Sequence, residues 1–501
     1  MNKKKYGLDF GTTNSSIAIA DGEIGRVLEV DLEAGDPRVV RSMLYFNRRE
    51  IQYKAHVNKT KILNNTFEVG DYEWVGAFHP LIGQKAISQY LEENKHRTAG
   101  TKRTIFTGRI VDTRSLQEVK GGAGAVREYF EEMDFGVGRL MQALKTALKS
   151  PYYKGTTVFG HFFSLEELIG TFLSELKKKA DRELGEEITS VVCGRPVHFL
   201  NNPEKDSAVQ KRLEAGLRSA GFLDIQFEYE PVAAAKQYIA EVLRSENDSV
   251  ELDVRLRRNA VSHVLVFDFG GGTLDTAIVR VGKLGEQEDN SEEGETKVLA
   301  VDGVYIGGDL LNADIMKHTL WPYFGSKTIW GDYNLAMPTT IYETLQSWFS
   351  IPNLNNPEMM DQLERLKYKN SDVAAIERLI YLIKANLGFN LYESIERAKK
   401  HLSFYDSSRI VFQSGIIDID VEITKTEFER IIQPRVDEIR ETIFRTLEMA
   451  ELEASEIDVV VRTGGSSLIP VFENMLVEIF GKEKIRQFET FTSIAGGLAL
   501  N

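Results

Sequence analysis

The feature that most constrains this chain is a duplication. Near its start it reads YGLDFGTTNSS and far downstream HVLVFDFGGGTLDT, so that Asp9-Phe10-Gly11 and Asp268-Phe269-Gly270 each close an apolar run and open a glycine turn before an alternating strand. Two copies of one strand-turn-strand unit imply two similar lobes, and clefts between lobes are where ligands preferentially bind. The strand, loop, helix, strand, helix order between the copies indicates an α/β class.

The chemistry of the turns follows from their residues. Gly270, Gly271 and Gly272 are expected to supply φ values that a Cβ forbids, leaving backbone N–H groups free to converge on a phosphate. Asp268 and Asp275 would repel phosphate directly but suit the water shell of Mg²⁺, so the composition asks for a metal nucleotide. The first turn, Gly11 to Ser16, adds hydroxyls that can bond phosphate oxygens without adding charge, Thr12 and Thr13 foremost. One such turn alone fits an ordinary glycine hairpin equally well; the second copy argues for a nucleotide clamp.

Length and composition set the limits. The chain has 501 residues and a formal net charge of -14, which disfavours nucleic acid as a partner. Cys193 is the single cysteine, so no internal disulfide can form, and SVVCGRP places it at the end of a buried strand. Met1 to Lys5 lacks the apolar core of a signal peptide and no segment approaches the length of a membrane span, so a cytoplasmic protein without membrane contact is expected.

Along the chain, residues about 38–160 read as an insertion on the first lobe. Within it, GRLMQALKTALKS offers Lys145 and Lys149 as cations for phosphoryl transfer, although spacing alone favours a solvated helix face. Ser164 to Glu167 is a capping box ahead of a helix whose Leu165, Leu168, Ile169, Phe172, Leu173 and Leu176 share one face. Glu230 falls where the strand DIQFEYE becomes a helix with Pro231 in its first turn, a common place for functional side chains. Gly307-Gly308-Asp309 opens a helix whose free N–H groups would favour an anion. The aromatic cluster of Trp321, Tyr323, Phe324, Trp330, Tyr333, Trp348 and Phe349 suits the core of a helical subdomain. Glu396, Lys399, Lys400 and Ser403 form a polar ridge at helical spacing, either lining a ligand or facing solvent. Thr424 to Glu427 is a second capping box, before a helix that Pro434 could bend, and Gly464-Gly465-Ser466-Ser467 makes a third glycine turn suited to the nucleoside end of a ligand.

The ordered set GLDFGTTNSS, CGRPVHF, FEYEPVAAA, FDFGGGTLD, IGGDLLN, IERAKKHLS and RTGGSSLIP resembles the nucleotide-binding domain of the 70-kDa heat-shock chaperones, within the actin-like ATPase superfamily, over essentially the whole chain. GRPVHF and EPVAAA look closest to its short bacterial chaperone-like branch, the YegD-like proteins. The resemblance implies a duplicated ribonuclease H-like fold with a nucleotide cleft between lobes 1–260 (core 1–37 and 161–260) and 261–501 (core 261–312 and 400–501, helical insertion about 313–399). It implies Asp9, Asp268 and Asp275 around Mg²⁺ and its waters, Gly11, Thr12, Thr13, Asn14, Gly270, Gly271, Gly272 and Thr273 as phosphate clamps, and Glu230 with Lys145 at the attacking water. Gly307, Gly308, Asp309, Glu396, Lys399, Lys400, Ser403, Gly464, Gly465, Ser466 and Ser467 fall where the family holds phosphate, ribose and adenine. ATP and ADP are the implied ligands, and K⁺ is a further ion that some relatives use.

Two departures qualify the expectation. The family stacks adenine on arginines, where this chain has Lys400 and Leu468, and an ammonium lacks the planar face of a guanidinium. The chain also stops at SIAGGLALN, where full-length chaperones continue into a linker and a peptide-binding domain. The reading is a chaperone-like ATPase that couples lobe motion to a protein partner; a non-hydrolysing nucleotide-dependent scaffold and a small-molecule kinase of the same superfamily are the alternatives.

Overall fold

The structure, a computed structural model, describes residues 4–47, 80–94, 101–112, 125–134, 138–150, 153–158, 161–200, 202–244, 261–281, 297–348, 350–488 and 492–500. The expected acidic loop GEQEDNSEEGE, the charged connection RSENDSVELDVRLRRN beyond Arg244, and Phe349 lie outside them, as does much of the 38–160 insertion.

Two sheets carry the chain, and they repeat one plan. In the first, β1 (Tyr6–Phe10) pairs antiparallel with β2 (Asn14–Asp21), which pairs antiparallel with β3 (Ile24–Val27). On its other edge β1 pairs parallel with β4 (Ser190–Arg195), and β4 parallel with β5 (Asp224–Tyr229). In the second, β6 (Ser262–Phe269) takes the place of β1, flanked antiparallel by β7 (Leu274–Val281) and then β8 (Lys297–Val304). It is flanked parallel by β9 (Val459–Thr463) and then β10 (Ile485–Gln487). The duplication read from two short motifs thus extends to the strand order of both sheets, and the fold is the mixed α/β, actin-like ATPase fold.

The central strands are buried over almost their whole length and largely apolar, apart from the aspartates near their ends, because helices pack against them. The helix α1 (Leu165–Leu184) starts at the expected capping box, with Ser164 Oγ accepting from the Glu167 N–H, and buries all six residues of its predicted face. Helix α2 (Pro203–Ser219) packs beside it, and Gly221 follows its end at φ 97°. Helix α3 (Glu230–Arg244) runs from the end of β5 into a core that joins Ala233, Ala234 and Ala235 to Val264, Val266, Val459 and Val461 of the second sheet. Helix α4 (Gly308–Ile315), helix α5 (Gly388–Leu402) and the long α6 (Lys425–Met449), which continues through Pro434, contribute to one large core with the second sheet. The N-terminus of α6 is capped by Thr424 Oγ1, which accepts from the Glu427 N–H.

Two expectations change. In the aromatic cluster Phe324 is fully buried and Trp321, Tyr323, Trp330 and Trp348 pack against the core, but Tyr333 is 87% exposed at a hairpin tip and forms no part of it. The terminal helix α7 (Ser493–Ala499), expected with the second lobe, lies against β1, β2, β3 and α3 of the first half. Its small residues explain the crossing: a Cβ on Gly497 would stand 1.7 Å from Ala233 O, and one on Gly7 would stand 2.3 Å from Ala495 O.

Candidate functional site

The two DFG turns face each other across a cleft with a cavity of about 370 Å³. Strand pairing builds the second turn: Phe269 faces Leu274 across the hairpin, leaving Gly270 to Thr273 as the turn, closed by Gly270 N–H donating to Thr273 O at 3.0 Å. None of Gly270, Gly271 and Gly272 has positive φ, which corrects the expected conformational reason for the glycines. Their use is closeness: a Cβ on Gly271 would stand 2.2 Å from Thr13 Oγ1, and one on Gly272 2.6 Å from Thr12 Oγ1. The first turn is propped from behind by Ser42, whose N–H donates to Thr13 O and whose hydroxyl donates to Gly11 O, both at 2.8 Å.

The N-terminus of α4 also works differently from expectation. The Gly308 N–H donates to Gly270 O at 3.0 Å and the Asp309 N–H to Gly271 O at 2.9 Å, so these groups support the turn and are not free for an anion. Ser466 Oγ reaches the same Gly270 carbonyl from the third turn, at 2.8 Å.

The register of β6 and β7 sets Asp268 opposite Asp275, and β1 brings Asp9 to the same floor. Glu230, 5% exposed at the head of α3, meets Lys145 Nζ at 2.6 Å; Lys145 is itself 7% exposed. The lysine is presented by a single turn, Leu144–Ala147, entered through Ala143 in the left-handed region at φ 56°, a strained conformation for a residue with a Cβ. Lys149 also lines the cleft, its ammonium 4.5 Å from the centre of the Tyr305 ring.

The electrostatics of this floor are those of excess buried negative charge. Burial, then the charge of Glu230, pushes Asp9 up to about 7 and Asp275 up to about 6, and burial with Glu230, Asp275 and Asp9 lifts Asp268 well above the usual carboxylate range. Burial opposes the charge on Lys145, yet Glu230 and Asp9 hold its pKa above the ordinary lysine value. Burial lowers Lys149 to about 8. Asp275 Oδ1 accepts from the Val197 N–H at 2.8 Å, while its Oδ2 and the hydroxyl of Thr13 are buried with no hydrogen-bond partner. Carboxylates with raised pKa values beside orphaned oxygens fit a divalent cation. Among the described residues no three such groups converge tightly enough to ligate one directly, so the fit is to a hydrated ion held through its waters.

At the far end, Glu396 on α5 bonds Lys399 at 2.7 Å, Lys400 at 3.4 Å and the Asn312 side chain at 2.8 Å. Burial alone would raise its pKa, but Lys399, Lys400 and these hydrogen bonds hold it down at about 2. Burial pushes Asp309 up to about 6 against the pull of Lys399.

The cleft thus gathers Asp9, Gly11, Thr12, Thr13, Asn14, Lys145, Glu230, Asp268, Gly270, Gly271, Gly272, Thr273, Gly308, Asp309, Glu396, Lys399, Lys400, Ser403, Gly464, Gly465 and Ser466. Three expected residues are not in its lining. Asp275 is turned toward Val197, Gly307 is packed where a Cβ would meet Gly271 O at 2.3 Å, and Ser467 is buried with its hydroxyl donating to Gly464 O at 2.7 Å. Sequence reasoning missed Arg41, Pro196, Phe404, Ile469 and Ile494, which line the cleft, and Ser42 behind it. Pro196 and Ile469 stand inside the quoted motifs CGRPVHF and RTGGSSLIP, and Phe404 follows the polar ridge one helical turn beyond Lys400; Arg41 and Ser42 belong to no motif.

A duplicated α/β fold with a polar cleft between opposed glycine turns defines an actin-like ATPase class of architecture. The family model described as "Hsp70 protein" matches residues 132–328 and 384–501, more than half of the chain, and the chain belongs to the Hsp70 family. It is similar to "Chaperone protein DnaK" of Prochlorococcus marinus, 25% identical over 99% of this chain and 58% of that protein. It is also similar to "Chaperone protein DnaK" of Thermus thermophilus, 24% identical over 99% of this chain and 60% of that protein. The chain therefore spans about three fifths of the length of these relatives. Among the described residues no helix is long and apolar enough to cross a membrane.

Proposed function

We propose that this chain binds Mg-ATP in the cleft, hydrolyses it to ADP and phosphate, and couples the exchange to a protein partner in a chaperone-related role in the cytoplasm. The observation that carries the reading is the buried Lys145–Glu230 pair, which shares one cleft with both glycine turns and the carboxylates of Asp9 and Asp268, with Asp275 paired to Asp268 across the hairpin just behind the lining. Thr12, Thr13, Gly270 to Gly272 and Thr273 hold the phosphates, and Glu396, Lys399, Ser403 and the 464–466 turn hold the nucleoside. Glu230 orients the attacking water and takes up its proton, while Lys145 stands against the charge that develops as the terminal phosphoryl group transfers in line. Mg²⁺, when bound, supplies charge neutralisation, held through water by Asp9, Asp268 and Asp275. The halves 1–260 and 261–501, with α7 of the second packed on the first, act as the lobes whose relative rotation reports the nucleotide to a partner.

Single-turnover hydrolysis of ATP with Mg²⁺, measured beside binding for the wild type and Lys145→Ala, tests this. Slow hydrolysis that the variant loses while it still binds ATP is the expected result. Binding without hydrolysis in either protein would make the chain a nucleotide-dependent scaffold, and hydrolysis untouched by the variant would remove the assigned mechanism.

A further inference from the structure

The nucleoside end of the cleft has a gap in its chemistry. A base needs a flat apolar or cationic face, and at the two positions where the resemblance implies guanidinium groups this chain has Lys400 and Leu468. Lys400 is drawn to Glu396 at 3.4 Å and is 63% exposed, so its charge is shared and offers no plane. Leu468 and Ile469 add apolar lining but no planar face.

Phe404 supplies the missing plane. It lines the cleft beside Lys400 and Ser403 and is 78% exposed, so its ring is open to a ligand. Its backbone is fixed where α5 ends: the Phe404 N–H donates to His401 O at 3.0 Å and the Tyr405 N–H to the same oxygen at 3.1 Å. The neighbouring Tyr405 already stacks on the His401 ring, with centroids 4.0 Å apart and planes at 15°. Among the described residues Phe404 has no such ring partner.

We propose that Phe404 stacks on the base of the bound nucleotide, with Leu468 and Ile469 closing the opposite face, so that aromatic stacking does here what paired guanidinium groups would do. The inference rests on the reading of the cleft as a nucleoside triphosphate site. Base–aromatic stacking is a strong, sequence-tolerant source of nucleotide affinity, and the exposed ring recovers its own burial when the base arrives.

The test compares ATP with tripolyphosphate, both with Mg²⁺, on the wild type, Phe404→Ala and Phe404→Trp. Phe404→Ala should weaken ATP about tenfold or more and leave tripolyphosphate unchanged, because only ATP carries the base. Phe404→Trp should keep ATP affinity, and its added indole emission should respond to ATP and not to tripolyphosphate. Equal ATP affinity in Phe404→Ala, or equal weakening of both ligands, overturns the stacking role. A wild type that binds neither ligand removes the triphosphate reading itself, a failure distinct from that of Phe404.

Discussion

Lys145 and Glu230 are 85 residues apart in the chain, and their side chains, both buried, meet at 2.6 Å. One comes from a single helical turn in the segment between the first sheet's strands and the other from the first residue of α3. Nothing local to either residue specifies the other. Their meeting depends on β4 and β5 lying parallel beside β1, which brings the head of α3 over the first turn.

A pair that acts as a unit should fail as a unit. Lys145→Ala and Glu230→Gln are each expected to lower single-turnover hydrolysis by about 10²- to 10³-fold, and the double variant should be little worse than either, since groups serving one step are not additive. Independent, multiplying losses in the double variant would separate their roles.

Asp268→Asn should divide function from stability. It removes one of the crowded buried carboxylates of the floor, so the nucleotide-free protein should melt at a higher temperature than the wild type, while Mg²⁺-dependent turnover falls about 100-fold. Thermal melts without ligand, set beside turnover across a Mg²⁺ titration, give both readouts. Unchanged turnover would remove the aspartate from the mechanism.

The glycines of the second turn are not equivalent. An added Cβ at Gly271 meets Thr13 Oγ1 at 2.2 Å, whereas at Gly270 the nearest atom is Thr273 O at 3.8 Å, an ordinary contact. Gly271→Ala should therefore destabilise the ligand-free protein by about 1–3 kcal/mol and Gly270→Ala should be close to neutral. Denaturant unfolding of the two variants checks this, and equal effects would argue that the turn tolerates or rejects a methyl group for another reason.

The Glu396 cluster predicts an acid dependence. Its folded pKa of about 2 lies below the ordinary value of 4.5, so ionised Glu396 stabilises the fold at pH above 4.5, and that contribution is lost as pH falls toward 2. The shift corresponds to roughly 3 kcal/mol at neutral pH. Glu396→Gln should be destabilised at pH 7, and the gap to the wild type should narrow as pH is lowered through 4.5 toward 2. A gap independent of pH would place the cost in packing instead.

Much of this protein was legible in its sequence because the signals are local. The repeated DFG turns, the capping box at Ser164, the strand-to-helix position of Glu230 and the apolar face of α1 each occupy a window in which backbone preference and side-chain period speak directly. The duplication follows from them, and most of the cleft lining from the family resemblance that these motifs carry. What the tertiary structure alone decided concerns distance across the chain. The glycines at 271 and 272 answer to threonines of the opposite turn, the N–H groups of Gly308 and Asp309 are taken by the turn they support, and α7 crosses to the first sheet on its small residues. Arg41 enters the cleft, and Ser42 stands behind it, without a motif. Sequence period determines which face of an element is buried; the register and packing of two sheets decide what that face meets.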